Sequence, residues 1–221
     1  MSFRIRKLAG MVRPGLITAD IGTDHGLLPI LIVEQAKTEK AYACDVAEGP
    51  LAQAKANIAA HGLEGKVIPV LSDGFEHVPD DIQCAVLAGM GPHTAVRILE
   101  QAGDRLRRID QIIVQVNDDV PMVRRWACAH DFVIRQELTI EDRGHFYTAL
   151  DLVPGTAEAY SEQDILCGAL HTIADPESWT AFAEHEISRL SFILERRGND
   201  PQLEQQRKHY INALEQMKNE S

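Results

Sequence analysis

The chain has 221 residues, of which 45% are hydrophobic and 25% charged, with a formal net charge of −11. That length accommodates one domain of about 150 residues plus a smaller appendage, and the ordinary composition excludes a disordered chain. No apolar run approaches the roughly 18 to 20 residues of a membrane span, and the basic N-terminal segment lacks the apolar core of a signal peptide, so a cytoplasmic location is expected.

Residues 2–13 have the pattern of a short amphipathic helix, ended by Pro14-Gly15. Residues 16–21 read as a strand running into Gly22, residues 27–36 as a helix, and residues 41–46 as a second strand. An alanine-rich helix over 50–61 is closed by Gly62 and followed by a third strand at 67–71. Residues 84–88 form an uninterrupted apolar run, as expected of a strand buried on both faces. A helix follows at 93–102 and a fifth strand at 111–116. The next helix has Asp118 or Asp119 as N-cap and Pro121 in its first turn. Residues 132–140 and 146–153 read as two strands joined by a turn at 141–144.

Alternating strands and helices predict a parallel sheet covered on both faces, closed here by one hairpin. That α/β layout resembles the Rossmann-like sheet of class I methyltransferases. Pro154-Gly155 and the four residues after them read as a linker, and only helical patterns follow. Trp179, Phe182, Ile187, Leu190, Ile193 and Leu194 lie near helical spacing, then a break at 198–201, then Leu203, Tyr210, Leu214 and Met217. The expected organisation is a catalytic domain over 1–154 and an antiparallel helical hairpin over 155–221.

The acidic balance argues against a nucleic-acid partner for the molecule as a whole. Its distribution does not, because Arg4, Arg6, Lys7 and Arg13 share the first segment without an acid among them. Arg105, Arg107 and Arg108 form a second cluster, and Arg124 with Arg125 a third. Such patches hold phosphates or are simply solvated helix faces. The four cysteines are widely spaced, without a Cys-x-x-Cys pair, so reduced thiols and no metal site are expected.

The segment Asp20-Ile21-Gly22-Thr23-Asp24-His25-Gly26 joins the first strand to the first helix of the sheet, where such folds bind nucleotides. Gly22 lets backbone approach a ligand, and the spacing is not the Gly-x-Gly-x-x-Gly of dinucleotide binders. Acids suit a loop that meets a cationic amino-acid moiety rather than a pyrophosphate. Asp45 ends the second strand about 20 residues further on, where a carboxylate accepts hydrogen bonds from ribose hydroxyls. Asp73, with Gly74, ends the third strand and is suited to an adenine amino group or to an ordinary Asp-Gly turn. Gly89, Met90 and Gly91 leave the fourth strand; Gln115 and Asn117 put two amides at the rim of the fifth, for base contact or, at Asn117, for helix capping. The Asn/Asp-Pro-Pro-aromatic motif of exocyclic-amine methyltransferases is absent, which argues against N6 of adenine as the target.

Taken together, Asp20 to His25, Glu48-Gly49-Pro50-Leu51, Ser72-Asp73-Gly74, Ala88-Gly89-Met90-Gly91 and Gln115-Val116-Asn117 resemble the TrmK family of bacterial tRNA (adenine(22)-N1)-methyltransferases through about residue 153. The resemblance implies S-adenosyl-L-methionine as cofactor, bound by Asp20, Gly22, Thr23, Asp45, Asp73, Gly74, Gly89 and Met90. It implies a D-arm adenosine of tRNA as substrate, with Asp24, His25 and Asn117 at the chemistry. Arg4, Arg6, Lys7, Arg105, Arg108 and Gln115 would hold the RNA. No metal, membrane or obligate protein partner is expected. The family tends to have proline where Val116 stands and glutamate where Asp45 stands, so a change in the wall beside the base pocket is expected at Val116. Two other functions share most of these features: a methyltransferase acting on another RNA site or a small molecule, and a non-enzymatic RNA-binding module.

Overall fold

A computed structural model describes residues 1–156, 159–198 and 200–220. Positions 157 and 158 of the expected linker and Asn199 of the expected break lie outside the described residues. Helix α1 (Phe3–Met11) opens the chain, with the Ser2 hydroxyl accepting from the Ile5 N–H at 3.2 Å as its cap. Then β1 (Thr18–Ile21), α2 (Leu27–Glu34), β2 (Ala41–Asp45), α3 (Glu48–Ala60), β3 (Val67–Leu71), β4 (Cys84–Met90), α4 (Pro92–Ala102), β5 (Gln111–Val116) and α5 (Val120–Ala129) alternate along the chain. The hairpin β6 (Phe132–Asp142) and β7 (His145–Pro154) follows.

These strands form one seven-stranded sheet in the order β3-β2-β1-β4-β5-β7-β6. Strands β1 to β5 are parallel, and β7 enters antiparallel between β5 and β6. The strand order reverses between β1 and β4, so a crevice opens there beyond their carboxyl ends. The apolar runs are buried because helices cover both faces. Side-chain alternation sends Ile112 and Val114 of β5 into the core with Leu87, Leu99 and Trp126, and Ile113 into the opposite core with Leu8, Ile30 and Val86. Each such fully buried branched chain stabilises the fold by about 1.5–3 kcal/mol. All of the expected strands and helices are present. Asp119 is the N-cap residue of α5, in left-handed conformation at φ 39° and without a side-chain cap bond.

Beyond the sheet, α6 (Glu162–Cys167) precedes the long helices α7 (Pro176–Arg197) and α8 (Pro201–Glu220). The sequence pattern showed α7 and α8 but not α6, whose six residues are too few for a periodic signal. It is set instead by a capping box, in which Ser161 and Asp164 bond each other's backbone reciprocally. Trp179, Ala183, Leu190, Tyr210, Ala213, Leu214 and Met217 make a separate core with Cys167.

This helical unit is joined to the sheet by a buried ion pair. The Arg124 guanidinium of α5 grips the Glu137 carboxylate of β6 at 2.7 Å through Nη2 and donates through Nη1 to the Ile165 and Leu166 carbonyls of α6. The two side chains are 3% and 1% exposed. Arg124, grouped by sequence with surface cations, is therefore an internal clamp; its charge faces a carboxylate and helix-terminal carbonyls. Its neighbour Arg125 is on the surface, paired with Glu162 at 2.9 Å.

Candidate active site

The carboxyl ends of β1, β2, β4 and β5 converge on the crevice. At the end of β1, the N–H groups of Gly22 and Thr23 both donate to the Cys44 carbonyl, at 2.9 and 2.8 Å, which holds the loop against β2. Gly22 has φ +76°, and a Cβ there would lie 3.2 Å from Met90 Cε. Glycine is therefore required both by backbone conformation and by the close approach of Met90. Gly26 ends the loop at φ +71° against Ala54 of α3.

Asp20 forms the floor. It is 5% exposed, and its carboxylate accepts a 2.6 Å hydrogen bond from the Thr23 hydroxyl. Burial pushes its carboxyl up to about 7, against the lowering effect of Thr23, and the nearby Asp24 and Asp45 push it further. Three carboxylates thus crowd a crevice in which, among the described residues, none of them forms an ion pair with a lysine or arginine, although Arg4 lines the same space; a cationic ligand relieves that repulsion. Asp24 is at the mouth, its side chain 75% exposed and 3.2 Å from His25 Nε2. His25 is in left-handed conformation, φ 58°, and its carbonyl accepts from Asn57 Nδ2 at 2.9 Å. Asp45 is half-buried at the end of β2, and one oxygen accepts from the Ala47 N–H at 2.8 Å.

The end of β4 is bulged. Its register with β5 slips between Ala88 and Met90, and the extra residue, Gly89, is at φ +78°. Two amides, Gln115 of β5 and Asn117 just beyond it, brace this bulge. Gln115 Oε1 accepts from the Gly89 N–H at 3.1 Å, and Asn117 Nδ2 donates to the Gly89 carbonyl at 3.0 Å. A bulge of this kind beside a crevice re-aims the chain where a ligand is handled.

Around these loops lie two neighbouring spaces that share Arg4 and Gly89 in their linings. One, of about 170 Å³, is lined by Asp20, Gly22, Asp24, Leu28, Gly89 and Arg4. The other, of about 700 Å³, runs from Gly89 and Asn117 past the β6–β7 turn to Phe182 and His185 of α7. Arg4 lines both. Asp73 stands apart beyond β3, exposed and 3.5 Å from Arg97, beside a third space of about 480 Å³ that it shares with Phe75 and Arg105. Gly74 has φ +54° and packs on Ile98.

Several expected substrate contacts are elsewhere. Gln115 is fully buried, and its amide nitrogen donates to the Val116 carbonyl at 2.7 Å, so it braces the rim without reaching a base. Arg105 donates to the carbonyls of Phe75, Val78 and Pro79 and pairs with Asp80, which makes it a clamp on the β3–β4 connection. Arg108 is exposed but lies three residues before the start of β5, at the amino end of the parallel strands and opposite the crevice. Val116, expected to alter a pocket wall, is 2% exposed and packed in the sheet core. Arg6 and Lys7 are near the rim on α1, each over the Phe3 ring. The aromatic side of the groove, Phe146 and Tyr147, was not picked out from sequence. Nothing in an alternating strand shows which residue reaches a rim until the pairing partner is known.

A doubly wound sheet ending in an antiparallel hairpin, with acids on its first two strand ends, defines a class I methyltransferase. A family model described as a methyltransferase domain matches residues 1–150. The chain belongs to that family and, within it, to the TrmK proteins. The tRNA (adenine(22)-N(1))-methyltransferase of Bacillus subtilis is 29% identical over 160 residues, covering 72% of this chain and 67% of the relative. Streptococcus pneumoniae Sp1610, solved in complex with S-adenosyl-L-methionine, is 30% identical, with 97% of this chain and 99% of that chain covered and a TM-score of 0.87. The TrmK protein of M. capricolum, solved with S-adenosyl-homocysteine, is 28% identical over 97% of this chain and 98% of its own, with a TM-score of 0.84.

Proposed function

We propose that this protein methylates N1 of adenosine 22 in the D-arm of tRNA, using S-adenosyl-L-methionine, as a cytoplasmic enzyme with residues 1–154 as its catalytic unit. The observation that carries this reading is the junction at Arg4 and Gly89 between an acid-lined pocket and a wider, aromatic-lined groove. The crowded carboxylates fit the cofactor, because its ammonium and sulfonium supply positive charge to acids that no lysine or arginine of the described residues pairs with. In this reading Asp20, Gly22 and Thr23 hold its amino-acid end, Asp45 the ribose and Asp73 the adenine, with Gly74, Gly89 and Met90 packed against it. The relatives solved with the cofactor and its product support that choice. No helix of the described residues is long and apolar enough to cross a membrane.

When bound, the cofactor supplies a methyl group activated on a sulfonium. The lone pair of neutral adenine N1 would take that methyl group as its bond to sulfur breaks, leaving a neutral thioether as the departing product and the positive charge on the methylated base. The protein must position that base and stabilise the charge as it develops. Asp24 is suited to this role. It is exposed at the mouth, next to His25, and its carboxylate can accept from the adenine amino group as that group becomes more acidic. Asn117 fixes the opposite rim through Gly89.

Two measurements test the reading. Mass spectrometry of nucleosides from tRNA treated with the purified protein is expected to show 1-methyladenosine, mapped to position 22. Asp24→Asn keeps the shape and removes the charge, and single-turnover methylation should fall roughly 100-fold with little change in cofactor affinity. A methyl group found at another position would move the substrate assignment, and near-normal turnover by the Asn variant would remove Asp24 from the chemistry.

A further inference from the structure

The wall between the two spaces is one side chain resting on another. The Arg4 guanidinium lies over the Tyr147 ring, 4.7 Å from its centroid. The same guanidinium is 3.7 Å from the point where a Cβ on Gly89 would lie. Strand β7 pairs with β5 as far as Thr148 opposite Val116, so Tyr147 comes level with Asn117 at the reaction rim. Its neighbour Phe146 is committed elsewhere, packed at a tilt against Phe182 at 5.8 Å and His185 at 5.4 Å between ring centroids. Alternation along the strand gives the two rings opposite faces.

We propose that Tyr147 is the stacking platform for the target adenine, and that Arg4 holds that place until RNA arrives. This rests on the reading of the protein as a tRNA methyltransferase. A guanidinium is flat, cationic and close to a purine in thickness, so the surface that receives it also receives a base. Among the described residues no carboxylate pairs with the Arg4 guanidinium, and its hold on Tyr147 is a single cation–π contact. A base can displace it, and the freed cation is then beside the entering strand, where it meets a phosphate. The target adenine is taken out of its own stack, so a replacement stacking surface beside Gly89 and Asn117 offsets part of that loss.

The test compares Tyr147→Phe and Tyr147→Leu with the parent, using tRNA for kinetics and a tRNA carrying 2-aminopurine at the target position for binding. Stacking on the ring quenches the probe. The parent and Tyr147→Phe are expected to give the same quenched signal in the complex, and Tyr147→Leu a brighter one. Tyr147→Leu should also raise the KM for tRNA about tenfold, the scale of a lost base–aromatic stack. S-adenosyl-L-methionine affinity by calorimetry should be the same in all three, which shows that the leucine variant is folded. A leucine variant with parental fluorescence and KM would overturn the proposal while leaving the methyltransferase reading intact. A parent protein that leaves tRNA unmethylated would instead overturn the reading on which it rests.

Discussion

Asp20 is the residue whose chemistry departs furthest from its ordinary behaviour. Its folded carboxyl titrates at about 7 against an ordinary value of 3.8, so between those limits the folded protein holds a proton that the unfolded chain has released. Stability contributed by this group is therefore present at low pH and lost as pH rises through about 7, the reverse of a salt-bridged aspartate. Asp20→Asn removes the cost of a buried anion. Without cofactor, the variant should be more stable than the parent at pH 8, on the order of a few kcal/mol, and the two should converge near pH 4. Denaturant unfolding across that range would check it; a constant difference would show that the carboxylate is not desolvated. The same residue explains a design choice at the level of the loop. On the proposed reading this buried acid, destabilising alone, would be met by the cationic end of the cofactor, while Thr23 donates to it at 2.6 Å in the protein itself.

At the scale of elements, the joint between sheet and helical unit depends on Arg124 and Glu137. Removing one partner strands a buried charge, so Arg124→Ala and Glu137→Ala should each destabilise by about 3–5 kcal/mol, measured by denaturant unfolding. A double replacement by apolar residues, Arg124→Met with Glu137→Leu, should cost much less than the sum. Additive losses would mean that the two side chains act independently. This joint also marks where sequence reading stopped. Strands β1 to β5 were legible because each is a short, mostly apolar run bounded by turn signals, β4 being the uninterrupted case, and the hairpin because of its turn at 141–144. The role of Arg124 was not, since a single arginine in an amphipathic helix looks alike whether it faces water or a carboxylate 13 residues away. Gln115 was misread for a related reason. Its place at a strand end suggested the rim, whereas its side chain turns inward to hold the Gly89 bulge.

For the whole molecule, the formal charge of −11 must be reconciled with an anionic substrate. Of the basic clusters expected to hold RNA, the one on α1 remains near the crevice, because Arg105 and Arg124 are engaged internally and Arg108 lies at the far end of the sheet. If Arg6 and Lys7 meet RNA phosphates, their joint replacement by alanine should flatten the dependence of log affinity on log salt by about 1 to 2, with cofactor affinity unchanged. An unaltered slope, measured by filter binding from low to physiological salt, would place the RNA elsewhere. The antiparallel course of β7 matters at this scale too. A parallel strand reaches the crevice at its end, but β7 reaches it at its start, within a few residues of the Arg143-Gly144 turn. On the proposed reading, the stretch that would face the incoming base is consequently separate, in the chain, from the loops at 20–26, 45–48 and 72–74 that would surround the cofactor. Insertions or exchanges in that turn can reshape the groove without touching the methyl-donor pocket. A lineage could therefore change what it modifies while inheriting the donor chemistry unaltered.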